Sequence, residues 1–251
     1  MALVLAVAAG VVGMLIGMVG VGGVLLPPLL VAVGGLTAHE ATATSTWAFI
    51  FTGVVGTAAY SWRGVVPWPM LLRLAIGIVP AAFVGAAANV LLPATVVLLA
   101  MATLTLYVGA RQLRPGTDPA EGEAGRELRT AELVGIGAVV GFGSALTGTG
   151  GPVLLVPLLL ALGITPVKAV AVSQAAQLPV VISGSIGYLQ AGLTDVALGT
   201  TLGVLAAVGT AVGAVVATRI HAAHLRALIA LACIAAGLFL AARAAADLLG
   251  G

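Results

Sequence analysis

Two stretches decide how this chain is read: Gly17-Met18-Val19-Gly20-Val21-Gly22-Gly23 and Gly141-Phe142-Gly143-Ser144-Ala145-Leu146-Thr147-Gly148-Thr149-Gly150-Gly151-Pro152. Each breaks a long apolar run with closely spaced glycines. Sliding the chain by 128 residues lays Gly13 on Gly141, Gly20 on Gly148, Gly22 on Gly150 and Gly23 on Gly151. The register then holds without a gap, bringing Gly35 onto Gly163, Thr37 onto Thr165, Ser45 onto Ser173, Tyr60 onto Tyr188 and Gly64 onto Gly192. Glycine coincidences are cheap among 35 glycines, but the chain has only three tyrosines, so the Tyr60/Tyr188 match carries weight. The chain reads as an internal duplication.

The surroundings of these stretches place the duplication in a bilayer. Of the 251 residues, 61% are hydrophobic and 7% charged, and mean hydropathy is +1.22. A water-soluble domain carries about 25% charge, so that class is excluded. No Lys, Arg, Asp or Glu occurs over residues 1–39, 74–110 or 133–167, and about 20 apolar residues suffice for one helical crossing. The runs are continuously apolar rather than alternating, which sets strand barrels aside. Nine of the 18 charged residues crowd between Arg111 and Glu132. The net charge of +2 forms no stripe that could track phosphates, so nucleic acid is not an expected partner. The single cysteine, Cys233, supports neither a disulfide framework nor a thiolate metal site. The first twenty residues lack a basic leader region and read as the first membrane segment.

Glycine, proline and charge divide the chain into a first repeat (1–110), a charged linker (111–132) and a second repeat (133–251). Segments are expected at 2–19, 24–35, 41–62, 68–90 and 94–110, and again at 133–146, 152–163, 169–190, 196–218 and 225–249. The second member of each set is too short to span. Each repeat is therefore expected to open with a helical hairpin whose Gly-rich tip lies inside the membrane, leaving an odd number of crossings. Placing the linker in the cytoplasm then brings Arg63, Arg73, Lys168, Arg219 and Arg226 inside as well, which inverts the repeats relative to each other. The expected fold is an all-α integral membrane protein of two inverted-topology repeats, each of about five helical segments.

Non-helical backbone at membrane depth must be buried in protein or line a cavity, because lipid offers no hydrogen bonds. Glycines permit close approach to the main chain, and helix N-termini present free N–H groups to anions. The candidate binding residues are thus Gly20, Gly22 and Gly23 of the first tip and Thr147, Gly148, Thr149, Gly150 and Gly151 of the second. The pairs Gly13/Gly17, Gly137/Gly141, Gly199/Gly203 and Gly209/Gly213 have instead the spacing of close helix packing. Neither a dinucleotide fingerprint nor a P-loop is completed.

The third segments carry most other polar groups, including Thr42, Thr44 and Thr46, which can find partners in neighbouring helices. Ser45 and Ser173 occupy equivalent positions, and Gln174 and Gln177 lie three apart on one helix face, able to donate to one anion. These four join the candidate site, with Trp47 as a candidate gate. His39 and Glu40 are expected to cap a helix at the interface, a proton relay being the alternative. Trp62, Trp68, Tyr60 and Tyr188 read as interface anchors, and His221 and His224 as a solvated loop face. No metal-ligand set and no cofactor motif is present.

The tip pattern, a small residue followed by x-x-G-x-G-G and a Leu/Val-Pro run, occurs twice, at residues 17–28 and 145–157. In this it resembles the TauE/SafE family of sulfite exporters, and the similarity of organisation covers essentially the whole chain. The resemblance implies a multi-pass secondary transporter of the cytoplasmic membrane, exporting sulfite, thiosulfate, sulfoacetate or a similar small anion. Alternating access, by rocking of the two halves, is expected from the inverted repeat, with ion or proton coupling. The alternatives are an anion channel, a carrier of another small organic anion, an intramembrane enzyme and a membrane scaffold. For an enzyme, Ser144 lacks a nearby base and no paired carboxylates occur within the membrane segments.

Overall fold

The computed structural model describes residues 2–20, 22–113, 128–216 and 222–250. The expectations placed on Val21, on the linker charges Arg114 to Glu127, and on Arg219 and His221 lie outside the described residues, as do those on the side chains of His224 and Arg226. Among the described residues all regular structure is helical: α1 (Ala2–Val19), a 3-10 turn (Gly22–Leu25) leading into α2 (Leu26–Ala32), α3 (Ala38–Trp62), α4 (Trp68–Leu91), α5 (Ala94–Leu113), α6 (Thr130–Thr147), α7 (Pro152–Ala161), α8 (Pro166–Gln190), α9 (Val196–Val216) and α10 (Ala222–Gly250). Five of them, Trp68–Leu91, Ala94–Arg111, Thr130–Thr147, Val167–Gln190 and Val196–Val215, are long and apolar enough to cross a membrane.

The starts of α3 and α6 fall three residues earlier than apolar periodicity suggests, because their caps are polar. α3 begins at Ala38 rather than residue 41. Thr37 Oγ1 accepts from the Glu40 N–H at 3.3 Å, and the Glu40 carboxylate accepts from the Thr37 N–H at 2.9 Å, a reciprocal capping box. The cap expected of Glu40 is thereby present. Glu132 reaches back in the same way to the N–H of Arg129 at 2.9 Å, and α6 starts at Thr130.

The duplication is visible in the backbone. Left-handed glycines recur in pairs 128 residues apart: Gly20 (φ +78°) with Gly148 (+69°), Gly35 (+69°) with Gly163 (+80°), and Gly64 (+67°) with Gly192 (+68°). The last pair closes equivalent helix ends, the N–H of Val65 reaching the Tyr60 carbonyl and that of Leu193 the Tyr188 carbonyl.

Helices before and after residues 114–127 interleave. α1 packs on α9 and, equivalently, α6 on α4; α3 packs on α9 and α8 on α4; α3 meets α8 and α5 meets α10. Small residues make the closest of these contacts. A Cβ on Gly13 or Gly17 would collide with the carbonyls of Ala206 or Thr210, and one on Gly209 or Gly213 with those of Gly10 or Met14. Gly137 and Gly141 meet Leu74 and Ile78 in the same manner, and Gly199 and Gly203 meet Thr44 and Ala48 of α3. Without a hydrophobic drive between helices in lipid, such backbone-to-backbone approach is what holds them together.

α8 is the central helix: 72% of its apolar window is buried in protein, against 33–39% for the other four spans. α4 by contrast exposes Leu72, Ile76, Val79 and Phe83 along one stripe, the pattern of a helix with one face on hydrocarbon. Tyr188 departs from the interface role expected of it. It is fully buried, and its hydroxyl donates to the Ala145 carbonyl of α6 at 2.6 Å.

Candidate functional site

The two Gly-rich tips meet beside the α3–α8 crossing. In the first, the Gly20 N–H closes α1 onto the Ile16 carbonyl at 2.9 Å. The following turn folds back so tightly that a Cβ on Gly22 would stand 2.7 Å from Leu15 Cβ. Gly20 itself looks across to the other repeat: its Cβ position lies 3.7 Å from Val156 and 3.9 Å from both Pro152 and Gln174 Nε2. Gly23 abuts the Thr149 carbonyl, which a Cβ would approach to 2.8 Å. Of the three first-tip glycines, Gly20 and Gly23 therefore face the second tip, and Gly22 faces its own helix.

In the second tip Gly148, Gly150 and Gly151 all have positive φ, which their lack of a Cβ permits. Gly148 rests on Thr42 of α3, Gly150 on the Phe49 ring, which a Cβ there would approach to 3.0 Å, and Gly151 on Val180. The Gly151 carbonyl starts α7 by accepting from Leu154 and Leu155 at 3.1 Å each. The N–H groups of Gly150 and Gly151 make no hydrogen bond among the described residues. Two free main-chain donors at a helix N-terminus suit an anion.

The hydroxyls around the tips divide by residue type. Thr42 donates to the Ala38 carbonyl at 2.7 Å and Thr46 to the Thr42 carbonyl at 2.8 Å. Thr147 donates to Gly143 at 2.7 Å. Its single proton being thus engaged, Thr147 Oγ1 accepts from Thr149 across 3.2 Å. The Thr147 and Thr149 hydroxyls, expected to hold ligand, are in this arrangement tied to their own helix. The serines are not. Ser45, Ser144 and Ser173 are buried with no partner for their hydroxyls among the described residues. A buried polar group without a partner costs stability, and such groups point to a missing ligand or water.

Gln174 and Gln177 face opposite tips. Gln174 Nε2 donates to the Ile16 carbonyl of α1 at 2.8 Å. Gln177 uses both amide hydrogens on α3, toward the Phe49 carbonyl at 3.1 Å and Thr52 Oγ1 at 2.8 Å. The Gln177 amide therefore splints α8 to α3 rather than offering a donor to an anion. Both Oε1 atoms are buried without a partner. The Trp47 indole N–H donates to Thr200 of α9 at 3.0 Å.

Three residues join the site that sequence reasoning did not select. Phe49 is wedged against both Gly23 and Gly150, and the signal for it was the repeat register, which pairs it with Gln177. Ser144 was considered as a nucleophile only. Asn89 is the chain's one asparagine, fully buried. Its Nδ2 donates to the Leu146 carbonyl at 2.7 Å, just before the second tip. That orientation makes Asn89 Oδ1 the acceptor from His39 Nδ1 at 3.0 Å. Arginines serve helix ends: Arg63 donates to the Ala214 carbonyl near the end of α9 and Arg243 to the Val31 carbonyl of α2, both at 3.4 Å.

Comparison with known proteins agrees with this architecture. The family model described as sulfite exporter TauE/SafE matches residues 3–240. A protein of Xylella fastidiosa strain 9a5c named "Probable membrane transporter protein" is 29% identical over 218 residues, covering 85% of this chain and 84% of its own. One of the same name from strain Temecula1 is 32% identical over 155 residues, covering 60% of this chain and 59% of its own. No solved structure matches. The interleaved helices, the paired glycine tips and the family match over nearly the whole length lead to one assignment: the chain belongs to the TauE/SafE sulfite exporter family of multi-pass membrane transporters.

Proposed function

We propose that this protein is a secondary transporter exporting a small sulfur-containing oxyanion or organosulfonate, sulfite-like in headgroup, across the cytoplasmic membrane by alternating access coupled to an ion or proton. The observation that carries this reading is the meeting of the two tips against α3 and α8, with the Gly150 and Gly151 N–H groups and the Ser45, Ser144 and Ser173 hydroxyls buried and unengaged there. Hydroxyls and helix-end N–H groups bind an oxyanion without a lysine or arginine. Residues 1–110 and 133–251 act as inverted repeats about this centre, with 111–132 on the cytoplasmic side, the arrangement that places a site at mid-membrane. Because α1 packs on α9 and α6 on α4, the bodies that rock cross the repeat boundary, each tip hairpin moving with a helix of the other half. The closed contact between Gly23 and Thr149 suits a carrier, since a channel needs a continuous path.

Counterflow in proteoliposomes tests this. Unlabelled sulfite on one side accelerates uptake of labelled sulfite from the other if the protein is a carrier. Flux that simply follows the gradient, with no acceleration, assigns a channel; absence of flux for every sulfur oxyanion and sulfonate tried refutes the substrate class.

A further inference from the structure

The balance of donors and acceptors at the tips says something about the cargo itself, and this step rests on the transport reading above. The hydroxyls of Thr147 and Thr149 and both amide hydrogens of Gln177 are engaged within the protein. What is left unpartnered on α8 among the described residues is of two kinds: the hydroxyls of Ser173 and, two turns beyond the glutamines, Ser185, and the carbonyl oxygens Gln174 Oε1 and Gln177 Oε1, on glutamine side chains that are 0–1% exposed.

A hydroxyl can turn its proton toward an anion. A carboxamide oxygen has lone pairs only, and beside a bare oxyanion it repels. Neither amide is free to reverse. Gln174 Nε2 faces the Ile16 carbonyl and Gln177 Nε2 the Phe49 carbonyl, so a flip would set carbonyl against carbonyl. Gln174 Oε1 has its own niche on α3, where a Cβ on Gly56 would stand 2.7 Å from it. Leaving two buried acceptors empty costs stability, which a ligand hydrogen would recover.

We infer that the cargo carries its own hydrogen-bond donor. It is a singly protonated sulfur oxyanion or a hydroxyl-bearing sulfonate, held by serine hydroxyls and tip N–H groups through its oxygens and by a glutamine carbonyl through its hydrogen. A bare sulfonate or a fully deprotonated dianion satisfies only half of this set.

Titration calorimetry on the purified full-length protein in nanodiscs, at one pH, tests the inference with ethanesulfonate, 2-hydroxyethanesulfonate and sulfite. The two sulfonates share charge and headgroup and differ by one hydroxyl. The hydroxylated one is expected to bind roughly tenfold or more tightly, the value of one hydrogen bond in a charged, desolvated site. Gln174→Met, which also removes the amide bond to the Ile16 carbonyl, is expected to bring the ratio of the two sulfonate affinities to about one; Ser173→Ala is expected to weaken both sulfonates alike and leave that ratio in place. Equal binding of the two sulfonates by the unmodified protein, a comparison that needs no variant to fold, overturns the inference and leaves the transport reading standing. Binding of none of the three overturns both.

Discussion

Gln177 and Phe49 occupy equivalent positions of the two repeats, 128 residues apart, and they touch: the Gln177 amide donates to the Phe49 carbonyl at 3.1 Å. The same amide reaches Thr52 at 2.8 Å, while the Phe49 ring lies against Gly23 of one tip and Gly150 of the other. The centre of the protein is thus a junction of α3 and α8 at positions 128 residues apart, where α3 supplies an aromatic wedge and α8 an amide splint.

Removing the splint has a measurable cost. Gln177→Leu leaves Thr52 Oγ1 without its donor and breaks the α3–α8 bond. The expected loss is about 1–3 kcal/mol, read as a lowered midpoint in thermal unfolding of the detergent-solubilised protein.

Glycine substitutions separate packing from mere abundance. Gly213→Ala sets a methyl against the Met14 carbonyl of α1 and is expected to destabilise by about 1–3 kcal/mol, the cost of overpacking. Gly10→Ala, on the helix that Gly213 touches, meets nothing within 4 Å and is expected to change stability by less than about 0.5 kcal/mol. Unfolding midpoints of the two variants side by side check the contrast.

Serines and threonines at the tips are expected to respond oppositely. Ser45→Ala and Ser173→Ala lose no protein partner, so stability should hold while the apparent KM for the transported anion rises roughly tenfold. Thr147→Val orphans the Thr149 hydroxyl and should lower stability by about 1 kcal/mol, with a smaller change in KM than either serine variant. Proteoliposome flux combined with thermal unfolding distinguishes the two patterns; a KM unchanged in both serine variants would place the anion elsewhere.

Asn89 is expected to act through position rather than contact. Asn89→Leu removes the donor to Leu146 and the acceptor for His39, at a cost of about 1–3 kcal/mol. Because Leu146 immediately precedes the second tip, transport should fall even at temperatures where the variant remains folded. His39→Ala breaks only the outer bond and should cost less in both measurements.

Much of the fold was legible in the chain, for reasons that are local or repeat in register. Length and apolarity identify crossings, as in residues 68–91 and 196–215. The glycines that the 128-residue register superposes, Gly20 and Gly148, Gly35 and Gly163, and Gly64 and Gly192, share a left-handed backbone conformation. The small-residue pairs such as Gly13/Gly17 and Gly209/Gly213 indeed face one another's helices. The start of α3 was misjudged by three residues because its first turn, Ala38-His39-Glu40, is set by the polar Thr37–Glu40 box and not by apolar periodicity.

The site was legible as a set of residues but not as a set of available atoms. Composition and spacing by themselves determined a helical membrane protein with two Gly-rich stretches and hydroxyl- and amide-bearing helices, which the structure bounds at Ala38–Trp62 and Pro166–Gln190. Only the tertiary structure decided that Gly22 turns inward, that Trp47 is held on α9, that Asn89 and Phe49 belong to the centre, and that the serines are free where the threonines are engaged. The reason is physical. Periodicity and caps depend on neighbours within a turn or two, whereas the amide bonds of Gln174 and Gln177 join residues 125 to 158 apart in the chain. Whether a polar atom is free to meet a ligand is settled by what stands opposite it in space.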